Sequence, residues 1–508
     1  MDFPYEEKFS FRNNTFKSPF TDLNLIEKRA KDQVELRTQK RSDRTSKQRP
    51  LKTYSIEWIL QDDIPNQSYN ISNLNDYLDQ LQSLDKKQNL SGIKAIRKIL
   101  SELDTPISQV IKSGALPLII PKLYYDDCPQ IQYECTWAIT NMCTGNKKCI
   151  SALINAGCLQ GLDYILSSDI DELVEQAIWA LGNLASDSHI YRDAVLESGV
   201  LDKIIKKTMN SMKISTIRQG CWALSNIFRI SPLPIRYAND FMPVIGKCIM
   251  MHKELNELIG NVLFATSKVT EQKNFIYEFL QLDVLKDVCI LAMSQHYNIA
   301  IPALSVMGNI IGGSDYEAGQ VIKAGGLRVL KHCLNINYAA VRQETIWALS
   351  NLCAGDYQQV NSIMKSGILK DLINLIPSLS SELQNEASWV FGNIVSNESG
   401  VIETLVDQGL FEALSHLLKS KTSKSVLVSL MALEKVLEYS QYMDEVNDKF
   451  MKIIEETGIT DILYELQMHK NEKVYKKAQE ILSEFFDYEE ECQELLDNIS
   501  QISTKLYI

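Results

Sequence analysis

An all-α solenoid built from units of about 42 residues is what this sequence predicts, and three observations predict it. Five of the six tryptophans sit in the motif W-x-x-x-N, at Trp137, Trp179, Trp222, Trp347 and Trp389, in steps of 42, 43, 125 and 42 residues. The long step is close to three periods. A second ladder of small-residue–glycine turns, each followed by an apolar residue, runs through Gly114, Gly157, Gly199, Gly325, Gly367 and Gly409 in steps of 43, 42, 126, 42 and 42. Between these breaks the patterning is helical. A helical period of roughly 40–47 residues marks HEAT or armadillo units, which bury their apolar faces only by stacking on their neighbours.

Within one unit the three-helix, armadillo form fits the residues. A short helix, "CISALINA", stops at Gly157, where a left-handed cap needs a residue without Cβ. A second, "LQGLDYIL", follows, and a third, "ELVEQAIWALGNLA", carries the Trp and Asn. The third helix ahead of Trp137 opens on Pro129, at a position the first turn tolerates. Mid-chain the motif lapses. "GNVLFATSKVT" has Leu263 where Trp is due, and "ALSVMGNIIGG" keeps Asn309 with Ser305 in the Trp place. The array therefore splits into two blocks, and a bipartite surface is expected.

Composition is that of an ordinary globular chain, with 45% hydrophobic and 23% charged residues, and no apolar run approaches the roughly 18 residues of a membrane span. The start, "MDFPYEEKFSFRNN", lacks the apolar stretch of a secretory signal. Eleven scattered cysteines with no C-x-x-C pair read as small buried hydrophobes of a reducing compartment. Net charge is −12, but nine basic residues against four acidic ones make Glu27–Arg49 +5 and leave −17 for the remainder. The expected division is a basic arm at 1–53, a linker at 54–75, the solenoid at 76–487 and an acidic tail at 488–508.

Trp and Asn four residues apart leave one face of a helix. One such Trp would be ordinary core. Five repeats of the same polar pair argue for a lining of the concave surface, with indoles and carboxamides projecting into an open, negatively charged trough. A row of carboxamides, each offering two donors and an acceptor, matches the backbone of an extended peptide. Neighbouring helices about 8–10 Å apart meet such a chain roughly every three residues. Indole walls accept the stems of Lys and Arg and attract their cations. Glu134, Gln176, Gln219, Glu344 and Glu386, one turn before the tryptophans, would face the tips of those side chains, and Asp187 and Asp315 add charge. The expected ligand is an extended Lys/Arg-rich peptide.

"QYECTWAITNMCTG", "EQAIWALGNLASD", "PALSVMGNIIGGSD", "QETIWALSNLCAG" and "HKNEKVYKKAQEILSEFFDYEEE" closely resemble repeats of the importin α family, over nearly the whole chain. The resemblance implies a right-handed superhelix of about ten armadillo repeats that binds classical nuclear localisation signals, mono- or bipartite, and shuttles between cytoplasm and nucleus. It implies a major peptide site at Trp137, Asn141, Gly145, Gln176, Trp179, Asn183, Asp187, Trp222 and Asn226. The implied minor site is Asn309, Asp315, Trp347, Asn351, Glu386, Trp389 and Asn393. The family's pocket threonine falls on Ile150, and a basic residue usual in the first repeat is Glu102 here. The arm resembles the importin β-binding segment through Lys28, Arg29, Lys31, Arg37, Lys40, Arg41 and Arg44, although the family's arginine run is reduced. Recycling would use an exportin with Ran-GTP.

Other classes fit less well. The six histidines are dispersed without metal-ligand spacing, no phosphate-binding glycine motif follows a strand, and neither a cofactor nor a catalytic set is indicated. Direct nucleic-acid binding would need a basic groove. An armadillo scaffold for other peptides, of the β-catenin type, would show Lys and Arg along the third helices instead of Trp, Asn, Gln and Glu. Because the arm's short basic cluster is only "SKQRP", deleting residues 1–53 is expected to change the affinity for a basic peptide little. A large gain on deletion would contradict weak self-occlusion by Lys47 and Arg49.

Overall fold

The computed structural model describes residues 69–486, apart from 103, 104, 398 and 443. The arm at 1–53 with its seven basic residues, most of the 54–75 linker and the acidic tail at 488–508 lie outside the described residues. Among the described residues every regular element is helical, as expected of an all-α chain. The chain divides into two compact units, one reaching Val284 and the other running from Leu285.

In each unit the third helices of the repeats, 14–18 residues long, pack each on the next. The N-terminal unit contributes α1 (Lys86–Ile99), α2 (Pro129–Met142), α3 (Asp171–Ala185), α4 (Ile214–Arg229) and α5 (Asn256–Thr270). The C-terminal unit contributes α6 (Tyr297–Ile311), α7 (Ala339–Leu352), α8 (Ser381–Asn397), α9 (Ser423–Ser440) and α10 (Glu472–Phe485). Ten third helices agree with about ten repeats.

Short polar residues start the first helices. Asn146 Oδ1 accepts from the Cys149 N–H at 3.2 Å, Asp356 Oδ1 from the Gln359 N–H at 2.9 Å, and Ser314 with Glu317 closes a reciprocal capping box. Pro129 stands in the first turn of α2, where its missing N–H costs nothing. The glycine ladder behaves as its spacing predicts: all six members have φ between +71° and +102°, a region that favours glycine. Two further rungs escaped the sequence reading. Gly458 has φ +70° just before the helix Ile459–Leu466. Asp283, with φ 55°, stands two periods after Gly199, because Asp tolerates the left-handed conformation better than most residues.

The cysteines fill core space. Of the ten described, nine are buried and Cys128 is half-buried. Burial pushes the thiols of Cys158, Cys289 and Cys333 up to about 12, which keeps them neutral and unreactive.

Successive third helices approach closely where one supplies a glycine and the next a tryptophan. A Cβ on Gly182 of α3 would lie 2.5 Å from Cζ3 of Trp222 on α4. One on Gly308 of α6 would lie 2.1 Å from Cζ3 of Trp347 on α7. A fused ring cannot bend away from such a contact. Gly308→Ala is therefore expected to destabilise the chain by about 1–3 kcal/mol through overpacking, read as a lower urea midpoint. Gly319→Ala, on a helix where the added Cβ meets nothing within 4 Å, is expected to leave the midpoint unchanged or raise it. Equal midpoints for the two variants would contradict the indole's seat on Gly308.

Candidate peptide-binding face

In the N-terminal unit α2 carries Trp137 and Asn141, α3 carries Gln176, Trp179 and Asn183, and α4 carries Trp222 and Asn226, so the three W-x-x-x-N pairs lie on consecutive packed helices. Trp179 and Trp222 meet edge to face, with centroids 6.5 Å apart. Gly145 lies just past α2 and Asp187 just past α3; both are half-buried. Ile150 is fully buried in the core, so the hydroxyl expected of a threonine there is replaced by apolar packing.

The C-terminal unit repeats the arrangement. Asn309 is on α6, Trp347 and Asn351 on α7, and Glu386, Trp389 and Asn393 on α8, while Asp315 opens the helix after α6. Ser305, in the Trp place of α6, donates through Oγ to Glu344 Oε2 at 2.9 Å.

One expectation needs correcting. The pairs do not all stand proud in an open trough. Trp137 and Trp222 are only 4% and 3% exposed, and Asn141, Asn183 and Asn226 are fully buried. Trp179, Trp347, Trp389, Asn309 and Asn393 are half-buried, and Asn351 is buried. For Trp222 the reason is the close helix approach described above. The residue before each Asn is small (Thr140, Gly182, Ser225, Gly308, Ser350, Gly392), and at Gly182 and Gly308 the next indole sinks onto it.

The same approach gives the carboxamides a bracing role that was not foreseen. Asn183 Nδ2 donates to the Thr140 carbonyl at 3.3 Å, Asn226 Nδ2 to the Gly182 carbonyl at 3.2 Å, and Asn393 Nδ2 to the Ser350 carbonyl at 2.8 Å. In each case the acceptor immediately precedes the Asn of the previous rung. Asn141, which follows a helix without that motif, donates instead to Ser101 Oγ at 3.0 Å. A primary amide has two donors and two acceptor sites, so one such bond does not exhaust it.

Of the polar residues one turn before the tryptophans, Glu134, Gln176 and Glu344 have hydrogen-bond partners within the chain. Thr140 Oγ1 donates to Gln176 Oε1 at 3.3 Å. Glu134, expected to face a ligand, is instead held by Arg97 of α1, whose Nε donates to Glu134 Oε2 at 2.7 Å. The Arg97 guanidinium also lies 4.2 Å from the centroid of the Trp137 ring. Burial, with the Glu134 charge beside it, pushes the Tyr133 hydroxyl up to about 12. Sequence reading missed Arg97 because its helix has no Trp–Asn pair to mark it: Ala95 stands one period before Trp137. At the entrance to α4, Lys213 bridges Glu172 at 2.8 Å and Glu175 at 3.4 Å.

Among the described residues no group of His, Cys, Asp and Glu could hold a metal ion, and no helix is long and apolar enough to cross a membrane.

Comparison with known proteins agrees with this architecture. Residues 104–144, 146–186 and 318–354 match the armadillo/β-catenin-like repeat, and 448–498 match an atypical armadillo repeat. Importin subunit alpha-1b of Oryza sativa subsp. japonica is 32% identical over 271 residues, 53% of this chain and 50% of that protein. Importin subunit alpha-3 of Arabidopsis thaliana is 29% identical over 347 residues, 67% of this chain and 65% of that protein. The chain thus matches about half to two thirds of the length of these relatives. The crystal structure of an engineered protein superposes with a TM-score of 0.71 at 23% identity, over 81% of this chain and 98% of that one, a likeness of fold alone. By its repeats the chain is an armadillo-repeat solenoid, and it is similar to importin alpha subunits over about half to two thirds of their length.

Proposed function

We propose that the chain is a nuclear import adaptor that binds extended, Lys/Arg-rich nuclear localisation signals along its third helices. Trp137, Asn141, Gly145, Gln176, Trp179, Asn183, Asp187, Trp222 and Asn226 form the major set in the N-terminal unit. Asn309, Asp315, Trp347, Asn351, Glu386, Trp389 and Asn393 form the minor set in the C-terminal unit. The basic stretch within 1–53 links the loaded adaptor to importin β, the complex moves between cytoplasm and nucleus, and an exportin with Ran-GTP returns the adaptor.

The observation that carries this reading is the run of W-x-x-x-N pairs on consecutive packed helices, three in one unit and two in the other. Packing alone explains the recessed Trp137 and Trp222. It does not explain why Trp179, Trp347 and Trp389 keep part of a large apolar surface in contact with water. Half-exposed indoles suit the methylene stem and cation of Lys or Arg, at about 0.5–2 kcal/mol per contact. Buried carboxylates at Glu344 and Glu386, with Asp187 and Asp315 beyond the helix ends, favour the same ligand charge. An acidic body raises the local concentration of a basic peptide and speeds its capture. Relatives named importin alpha subunits support the biological setting.

The carboxamides have a different weight in this reading than their chemistry alone suggests. Asn183, Asn226 and Asn393 brace the preceding helix, so their contribution to a ligand is to hold the rungs and their indoles in position.

A fluorescent Lys-rich peptide tests the proposal. Binding is expected to be tight at low salt and to weaken as salt rises, because exposed charges are screened within about 10 Å at 0.1 M. Asp187→Lys is expected to weaken it at least tenfold. No detectable binding at micromolar protein would overturn the reading and favour a scaffold for peptides of another kind.

A further inference from the structure

We propose that Arg97 occupies the first indole–carboxylate slot of the N-terminal unit as an intrachain stand-in for a ligand cation, and so fixes where along the third helices the reading of basic side chains stops. This rests on the proposal that these helices bind a basic peptide, and adds a specificity-determining residue to it.

The arrangement around Arg97 is the one predicted for a bound ligand side chain. Its guanidinium lies 4.2 Å from the Trp137 ring centroid. Its Nε and Nη2 donate to the two oxygens of Glu134 at 2.7 and 3.4 Å. Arg97 is 8% exposed, Glu134 2% and Trp137 4%, so the three groups are removed from water together. Arginine suits this place better than lysine, since a planar fork can stack on a ring and pair with a carboxylate at once. A second cation cannot share the slot: the indole face is covered, the carboxylate is engaged, and another positive charge would meet the guanidinium at close range.

The C-terminal unit offers a contrast in what its equivalent carboxylate receives. Glu344 stands one turn before Trp347 as Glu134 stands before Trp137, and it accepts a hydrogen bond from the neutral hydroxyl of Ser305. Arg97 comes from α1, whose own register position for tryptophan is Ala95. A helix with no indole to offer thus supplies the cation that closes its neighbour's. A ligand is then read in the N-terminal unit from the half-exposed Trp179, and basic residues that extend past it toward Trp137 and α1 gain nothing.

The test uses the full chain and three synthetic fluorescent peptides: a core of five lysines flanked by Gly and Ser, and the same core lengthened by two lysines at its N-terminal or at its C-terminal end. For the wild-type chain, either extension is expected to tighten binding less than twofold. For Arg97→Ala, one extension is expected to tighten it about tenfold. Lys452→Ala removes one exposed positive charge elsewhere and should behave as wild type. If the alanine variant does not fold, Arg97→Gln, which keeps a side chain of similar reach without the charge, is read in its place with an expected gain of about threefold. A gain in the wild type as large as in the variant, no gain in the variant, or an equal gain in Lys452→Ala would overturn the assignment. If the core peptide binds none of these chains, the peptide-binding reading fails, and this inference with it.

Discussion

Within the two units, α3, α4 and α8 are each seated on the helix before by a carboxamide bonded to a backbone carbonyl, and α4 and α7 by a tryptophan over glycine. Trp222 over Gly182 with Asn226 bonded to the Gly182 carbonyl is the tightest instance in the N-terminal unit. Asn393 on the Ser350 carbonyl continues the pattern in the C-terminal unit. The contact is both apolar and directional, so it sets the distance between rungs and also their rotation. That dual role lets the motif recur every 42 residues without drift, since a carboxamide turned by one residue would lose its acceptor and leave a buried amide unpaired. Where the motif lapses, at Leu263 of α5, the packing is apolar and carries no such register mark.

This seating also controls what the outside world sees. Trp222 is drawn below the surface over Gly182, Trp137 is covered by the Arg97 guanidinium, and Trp347, over Gly308, stays half-buried. The charge around these indoles is arranged on the same principle of pairing within the chain. Lys213 offsets Glu172 and Glu175 at the mouth of α4, and the half-exposed setting of that cluster limits it to a modest contribution. Carboxylates nearer the indoles are the ones removed from water.

Much of the architecture was legible in the sequence because its determinants are local. A left-handed cap demands glycine at one position, so six of the caps could be read off the page, and Gly458 was missed only because its spacing from Gly409 departs from the period. Asp283 was invisible for a different reason: a residue that tolerates the same conformation without requiring it leaves no signature. That each Trp–Asn pair shares one helix was legible, and the depth of that face was misread. Trp and Asn at i and i+4 establish a shared face, but how deep that face lies depends on the residue one helix away, and Gly182 and Gly308 carry no sign of it in their own segment. Arg97 was beyond reach on the same ground, since its partners Glu134 and Trp137 lie in the next repeat.

A basic peptide is expected to touch the half-exposed rung tryptophans, Trp179 in the N-terminal unit and Trp347 and Trp389 in the C-terminal unit. A crystal structure of the chain with an extended lysine-rich peptide tests it most directly. The expected result is the peptide backbone lying along α3 and α4, with a lysine stem against the half-exposed indole of Trp179. A peptide seated on the first or second helices of the repeats, with the indoles as recessed as before and untouched, would contradict it.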